Sequence, residues 1–229
     1  MSASWEIVGS NRVLVGILHT EQTTVAWSFG LRNLIIPGQD SLRTFHPFLP
    51  VAGMPYDHAR NCITQAAMDV GASHVFMLDS DVIPPRDTIL RLLSHNLDFV
   101  SGMYFRRSPP AGVPVAQKWG TWLDLKRVKP GALVDVDLVG AGCLLLSRRM
   151  LEKLPEQRPG HRWWDWKVNY NGTGLYSPEK CLSEDFTLCR HAVENNFRVV
   201  LDSSVVCKHV GHSQAVDGGL VPCETAVFT

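Results

Sequence analysis

"FMLDSDV", residues 76–82, decides how the chain is read. An apolar run, Val75-Phe76-Met77-Leu78, ends in Asp79-Ser80-Asp81, and Pro84-Pro85 then stops the chain from continuing straight. A short continuous apolar run between helical patterns predicts a central strand of a parallel α/β sheet, covered on both faces. Ligands of such sheets bind at the carboxyl ends of the strands, where loops and helix N-termini converge. Alternate residues of extended chain point the same way, so both carboxylates can face one site. Two acids that close repel each other unless a cation neutralises them. Hard oxygen donors favour Mg²⁺ or Mn²⁺, which can also hold substrate phosphates. The plainer alternative is that one Asp caps the next helix and the other is solvated.

Working outward, "RVLVGIL" (12–18) reads as a first strand, "VAWSFGLRNLI" (25–35) as a helix and Pro37 to Pro55 as a loop. "YDHARNCITQAAMDVGA" (56–72) carries Ala59, Cys62, Ile63, Ala66 and Ala67 at helical spacing, with Asp57 as N-cap and Gly71 as stop. The order up to residue 81 is therefore strand, helix, helix, strand. Beyond it, "RDTILRLLSHN" (86–96) predicts a helix, "DFVSGMYF" (98–105) a strand, and 106–121 an irregular loop. Residues 132–154 hold one strand alternating at Val134, Val136 and Leu138, a turn at Gly140-Ala141-Gly142, then "CLLLS" and a short helix. The span 155–183 is loop-like and aromatic, "SEDFTLCRHAVENN" (183–196) is a helix with Ser183 as N-cap, and "FRVVLDSSVVCKHVGH" (197–212) is a final strand pair. One domain over 1–212 and a patternless C-terminal tail over 213–229 are expected.

The totals exclude several classes. At 229 residues and 45% hydrophobic, the chain can bury a full core. Lys+Arg and Asp+Glu balance at 22 each, so no global field draws it to DNA or an anionic membrane. No apolar run approaches a membrane span, and "MSASWEIVGSNR" lacks the apolar core of a signal peptide. Six cysteines without CxxC pairing read as buried free thiols, which suits a reducing cytoplasm, bacterial, phage-host or similar.

Other motifs follow in order: Thr20 and Glu21 after the first strand, Arg60-Asn61 on the second helix, and the Gly140-Ala141-Gly142 bend. Glycine at such a bend lets backbone approach a ligand closely, although an ordinary turn uses it too. Glu184-Asp185 open a helix, where the dipole and free N–H groups stabilise carboxylates with or without a function. His209 and His212 lie in "CKHVGH" after the last strand. Taken together, over roughly residues 12–212, this series resembles the GT-A glycosyltransferases, most closely the family 2-like enzymes, including compact forms encoded by phages and microbial genomes.

The resemblance implies an α/β, single-domain GT-A fold, Rossmann-like and nucleotide-sugar-binding, with a mostly parallel central sheet flanked by helices. It implies metal-dependent transfer of a sugar from a UDP- or GDP-sugar to an acceptor hydroxyl, with Mn²⁺ or Mg²⁺ as cofactor. Asp81 would ligate the metal directly, and Asp79 would contact the ribose or the metal through water. His209, with His212 in reserve, would complete the metal site. Asp185 would be the general base of an inverting transfer and Glu184 its positioning partner. Thr20, Glu21, Arg60, Asp79, Ser80, Gly140, Ala141 and Gly142 would bind the donor.

The chain departs from the family pattern in lacking the downstream QxxRW element, which argues against processive polymer synthesis and leaves a retaining variant open. A His19-Thr20 pair replaces the usual Pro-Thr or Pro-Tyr opening, so the base is not readable.

"HRWWDWKVNYNGTG" places Trp163, Trp164 and Trp166 within four residues. They are assigned to an acceptor platform or lid, or else to the core. With Arg106-Arg107 and Lys126-Arg127-Lys129 they would form a basic and aromatic rim. The acceptor would then be a glycan, a small molecule or a hydroxymethylated base of phage DNA. A DxD phosphatase expects its motif near the N-terminus and a later GDxxxD, both missing here. A nucleotidyltransferase expects a GxGTR opening, also missing. A non-catalytic sugar- or nucleotide-binding module would need neither Asp185 nor a metal site.

Overall fold

A computed structural model describes residues 12–19, 23–37, 48–107, 112–156, 163–166, 182–210, 214–216 and 219–221. The elements begin β1 (Val13–Leu18), α1 (Val25–Asn33), β2 (Phe48–Val51), α2 (Tyr56–Asp69), β3 (His74–Asp79), β4 (Val82–Ile83) and α3 (Thr88–Ser94). They continue with β5 (Phe99–Met103), β6 (Ala116–Lys118), β7 (Thr121–Trp122), β8 (Leu133–Val136), β9 (Leu138–Val139), β10 (Cys143–Ser147) and α4 (Arg148–Glu156). The last are α5 (Glu184–Glu194), β11 (Val199–Val206), β12 (Lys208–His209), β13 (Gln214–Val216) and β14 (Gly219–Val221).

A seven-stranded sheet in the order β2-β1-β3-β10-β5-β11-β8 is the frame. β2, β1, β3, β5 and β11 run one way, and β10 and β8 run against them. The mostly parallel sheet expected from β3 is therefore present. Period-two alternation divides β3 between two apolar layers: Val75 and Met77 join residues of α2, α4 and α5, while Phe76 and Leu78 join residues of α1 and α3. Both faces are thus covered by helices, which is why β3 is apolar without interruption. Among the described residues no helix is long and apolar enough to cross a membrane. Cys143, Cys189 and Cys207 are buried free thiols and Cys62 is a partly exposed one.

Several expectations are corrected. The Pro37–Pro55 loop contains an edge strand, β2, whose Pro50 the edge position tolerates. Residues 106–121 are not simply irregular, because β6 and the start of β7 lie there, and β6 pairs with both β7 and β9 in a separate three-stranded sheet. The Val134–Leu138 strand is broken: β8 joins the main sheet and β9 the small one. Among the described residues of 197–212, β11 and β12 do not pair with each other; β11 is interior to the main sheet, and β12 pairs with β4. Asp57 sits in the first turn of α2, with Pro55 at the cap. Within the segment read as a patternless tail, β13 and β14 pair with each other.

Trp164 is also corrected. It is 0% exposed and the largest wholly buried side chain among the described residues. Its indole N–H donates to Thr64 Oγ1 at 3.0 Å, and its backbone carbonyl accepts from Asn61 Nδ2 at 2.8 Å. Asn61 thus sutures the aromatic segment onto α2, and Trp164 is a core residue rather than a lid. Trp164→Ala is expected to cost about 3–5 kcal/mol in urea unfolding, as for other large-to-small core changes. An unfolding midpoint within error of the parent would return Trp164 to the surface.

Candidate functional site

The carboxyl ends of β3 and β5, the Gly140–Gly142 bend and the N-terminus of α5 meet on one side of the sheet. Arg60 on α2 joins three of them. Its side chain is buried, and its guanidinium donates to Asp79 Oδ1 at 3.0 Å, to Glu184 Oε1 at 3.3 Å and to the Ala141 carbonyl at 3.3 Å. Trp164 lies beneath it, with the guanidinium carbon 5.2 Å from the ring centroid. The sequence reading placed Arg60 on the nucleotide. In the fold it stands behind the carboxylates, at 3% exposure, and holds them in position.

Burial governs the charges here. Desolvation pushes Asp79 above the ordinary carboxylate range, opposed by Arg60 and reinforced by Asp81. Glu184 is raised for the same first reason, with Asp185 adding to it and Arg60 opposing. Burial would lower the Arg60 value, but Asp79 and Glu184 outweigh it and the value rises.

Asp81 lies one turn beyond β3 and has different partners. β4 and β12 pair with His209 opposite Val82, and the Val210 N–H donates to the Asp81 carbonyl at 2.7 Å. This register brings His209 Nε2 to 3.5 Å from Asp81 Oδ2. His209 Nδ1 lies 2.7 Å from the Phe105 carbonyl, which only accepts, so Nδ1 carries a proton. In the neutral ring Nε2 then presents a lone pair toward a carboxylate oxygen. Metal-binding histidines are held in this way through their other nitrogen. Arg107 Nη2 occupies the same Asp81 oxygen at 2.8 Å. Desolvation raises Asp81, yet an Nε2–H donated by the protonated His209 ring, together with Arg107, holds it below the ordinary range; the lone pair that suits a metal belongs to the neutral ring.

The donor set fits a hard divalent cation, with one carboxylate oxygen and one imidazole nitrogen facing each other. Among the described residues no cluster of three or more His, Cys, Asp or Glu could hold a metal by itself. Such a pair suits a cation that keeps waters and draws its remaining ligands from substrate phosphates.

Asp185 Oδ1 accepts from the Ser183 hydroxyl and, at 2.8 Å, from the Phe186 N–H. Asp185 is close enough to push up Asp79, Glu184 and Tyr104. Its Oδ2 takes no hydrogen bond from the described residues.

Gly140 and Gly142 have a steric reason. A Cβ at Gly140 would lie 2.0 Å from the Tyr104 hydroxyl, and one at Gly142 would lie 3.1 Å from Asp79 Oδ2. The Gly142 N–H donates to the Tyr104 hydroxyl at 3.0 Å, and Ala141 is buried. Ser80 is half-buried, its N–H bonded to the Leu18 carbonyl at 2.9 Å. Trp163 is half-buried, with its indole N–H on the Leu151 carbonyl at 2.7 Å, and Trp166 is exposed. Thr20, Glu21 and His212 lie outside the described residues.

Sequence reasoning missed Tyr104 as a site residue and treated Arg107 only as part of a rim. Tyr104 is buried, stands edge-on to His209 with ring centroids 5.3 Å apart, and has its phenol raised by burial, then by Asp79 and Asp185. Trp27 was missed too; its indole N–H donates to the Asp79 carbonyl at 3.0 Å. The available signal was "MYFRR" at the carboxyl end of β5, a strand parallel to β3.

No protein-family model matches the chain, and no curated protein sequence matches it. Among solved structures, the crystal structure of A197 from STIV is similar over 95% of this chain and 97% of that one, at 15% identity and a TM-score of 0.55. GalNAc-T7 with UDP, GalNAc and Mn²⁺ aligns with 87% of this chain and 44% of that one, at 10% identity and a TM-score of 0.48, too slight a likeness to argue from. The likeness to A197 shows a shared fold, GT-A-like in its mixed, mostly parallel sheet with helices on both faces.

The buried cluster has a pH signature. Raised values mean that Asp79 and Glu184 favour folding below the ordinary carboxylate range and lose that contribution as pH climbs through the raised values. Asp81, with a lowered value, acts in the opposite sense whether or not Arg60 is present. Arg60→Met removes a counter-ion from both raised acids and is expected to cost about 3–5 kcal/mol at neutral pH. The deficit, read from urea midpoints, should shrink as pH falls. A deficit that stays constant or grows in acid means that Arg60 does not hold these carboxylates.

Proposed function

We propose that this protein is a metal-dependent glycosyltransferase, family 2-like in its motifs, moving a sugar from a nucleotide-diphosphate sugar to an acceptor hydroxyl. The observation that carries the reading is the facing of Asp81 Oδ2 and His209 Nε2 at the carboxyl end of β3. In this reading both hold Mn²⁺ or Mg²⁺, with Asp79 beside them and Gly140, Ala141 and Gly142 lining the donor-sugar pocket. A bound divalent cation would offset the negative charge that grows on the departing diphosphate. Asp185 accepts the proton of the acceptor hydroxyl through Oδ2, while Ser183 and Phe186 fix Oδ1. The acceptor oxygen bonds to the anomeric carbon as the bond to the diphosphate breaks, and the nucleoside diphosphate leaves. Glu184, tied to Arg60, positions its neighbour rather than taking the proton.

Arg107 has a place in the same reading. It occupies the Asp81 oxygen that a cation would use, and its Nη1 also donates to the Val210 carbonyl at 3.1 Å. Freed from Asp81, it would be a cation available to the diphosphate.

The test is nucleoside diphosphate release from a panel of UDP- and GDP-sugars with Mn²⁺. Asp81→Ala is expected to abolish metal-supported donor binding. Asp185→Asn should keep donor binding and lower transfer at least about a hundredfold, the usual worth of a general base. A fully active Asp185→Asn would sink the base assignment, and donor binding with no turnover of any kind would favour a non-catalytic module. Arg107→Ala should tighten Mn²⁺ binding in the absence of donor, measured by calorimetry, by up to about fivefold, the scale of a partly exposed ion pair. Weaker binding in that variant would show that Arg107 does not compete for Asp81.

A further inference from the structure

The β6–β7 hairpin holds a large aromatic side chain out in water. Its turn residues Trp119 and Gly120 both have positive φ, 51° and 74°. Such two-residue turns favour Asn-Gly or Gly-Gly, and a bulky side chain in the left-handed region is uncommon. Trp119 is 85% exposed. The turn is nevertheless tied down. The Trp119 N–H donates to Asp137 Oδ2 at 2.6 Å, Lys118 bridges Asp137 Oδ1 at 3.3 Å, and the Lys118 ammonium lies 5.7 Å from the indole centroid. A strained backbone that anchors an indole in solvent forgoes one of the largest burial contributions a side chain can make. A ligand that covers the indole would recover it.

The hairpin also leads back to the proposed base. Trp122, on the returning strand, lies 6.2 Å from Phe186 by ring centroids, and Phe186 adjoins Asp185. Arg106 caps the Trp122 ring at 4.3 Å. Trp119 is two residues beyond the Gln117–Trp122 pair, about 7 Å further along the hairpin at the usual strand rise. Phe186, next to Asp185 in sequence, Trp122 in ring contact with it, and Trp119 further out on the same hairpin thus make a spaced series ending at an exposed tip, an aromatic track in outline.

We propose that this track is an acceptor subsite and that the acceptor is an oligosaccharide. Its terminal hydroxyl sits at Asp185, and an inner sugar ring stacks on Trp119. The proposal rests on the transferase reading for its terminal end only. A pyranose offers an apolar C–H face to an indole and hydroxyls at its edge, which match the charged groups around the hairpin. Charge disfavours a nucleic-acid strand. Lys118, beside the exposed indole, is paired with Asp137, and Arg107 and Arg127 of the rim are paired with Asp81 and Asp124, which leaves less free positive charge for a phosphate backbone along the hairpin.

The test uses the full chain and neutral manno-, gluco- and galacto-oligosaccharides, trisaccharides and longer, with the matching monosaccharides and a single-stranded oligodeoxynucleotide as further probes. Binding is measured by calorimetry and saturation-transfer NMR without nucleotide. At least one oligosaccharide should bind, and Trp119→Ala should weaken it about tenfold or more, the scale of one aromatic stacking contact. Trp119→Phe should restore part of the loss, and monosaccharides should be indifferent to both changes. Equal oligosaccharide binding by Trp119→Ala and the parent, no oligosaccharide binding by the parent, or Trp119-dependent binding of the oligonucleotide alone would each overturn the proposal. Nucleoside diphosphate release by the parent protein, run in parallel, reports on the transferase reading alone. Trp119-dependent oligosaccharide binding without any donor turnover would keep the subsite and remove the transferase. Donor turnover with Trp119-independent oligosaccharide binding would do the reverse.

Discussion

Arg60 is a cation with almost no water around it, and Asp79, Glu184 and the Ala141 carbonyl hold it from three elements distant in sequence. A buried guanidinium is tolerated only when its donors are met by charge and hydrogen bonds, and here they are. The same contacts fix where α2, the end of β3, the glycine bend and the start of α5 stand relative to one another. Trp164 closes the arrangement from beneath, and Asn61, next to Arg60 in sequence, bonds the Trp164 backbone on both its N–H and its carbonyl. The Arg-Asn pair is thus one device: Arg60 orders the acids and Asn61 orders the segment under them.

The second constraint is the register of β4 against β12. Two residues on each strand are enough to set His209 opposite Val82, one residue from Asp81. The Phe105 carbonyl, at the end of a third strand segment, decides which imidazole nitrogen carries hydrogen. A facing oxygen and nitrogen result, on a pair that neither strand would order alone. Tyr104, adjacent to Phe105, stands at right angles to the same imidazole, fills the space a side chain at Gly140 would need and, with Val82 and Asp79, crowds that at Gly142. The Asp81–His209 pair and the glycine bend are therefore coupled through one phenol.

The acids at the end of β3 were legible because an apolar strand that terminates in carboxylates is a strong local pattern. Glu184 and Asp185 were legible because helix starts have their own signature. What could not be read is sidedness. Arg60 on an amphipathic helix looks the same in sequence whether it faces water or a buried acid, and only the Asp79 and Glu184 contacts settle that. The tryptophan cluster misled for a related reason: composition shows that aromatic residues must be covered but not by what, and Trp164 is covered by the protein itself. The short strands β2, β4, β6 and β7 were missed because a strand of two to four residues exists by virtue of its partner, not of its own pattern.

Local chemistry, carried by the sequence itself, determined that a parallel α/β sheet would form around residues 74–79 and that acids would stand at its carboxyl end. Periodicity and helix-start signals depend on neighbours within a few positions, so they survive without the fold. Tertiary structure alone decided which partner each acid meets: Arg60 for Asp79 and Glu184, Arg107 and His209 for Asp81. It also decided that Trp164 is buried while Trp119 is left in solvent. Those outcomes depend on strand register and on burial, which are properties of residues brought together across the sheet.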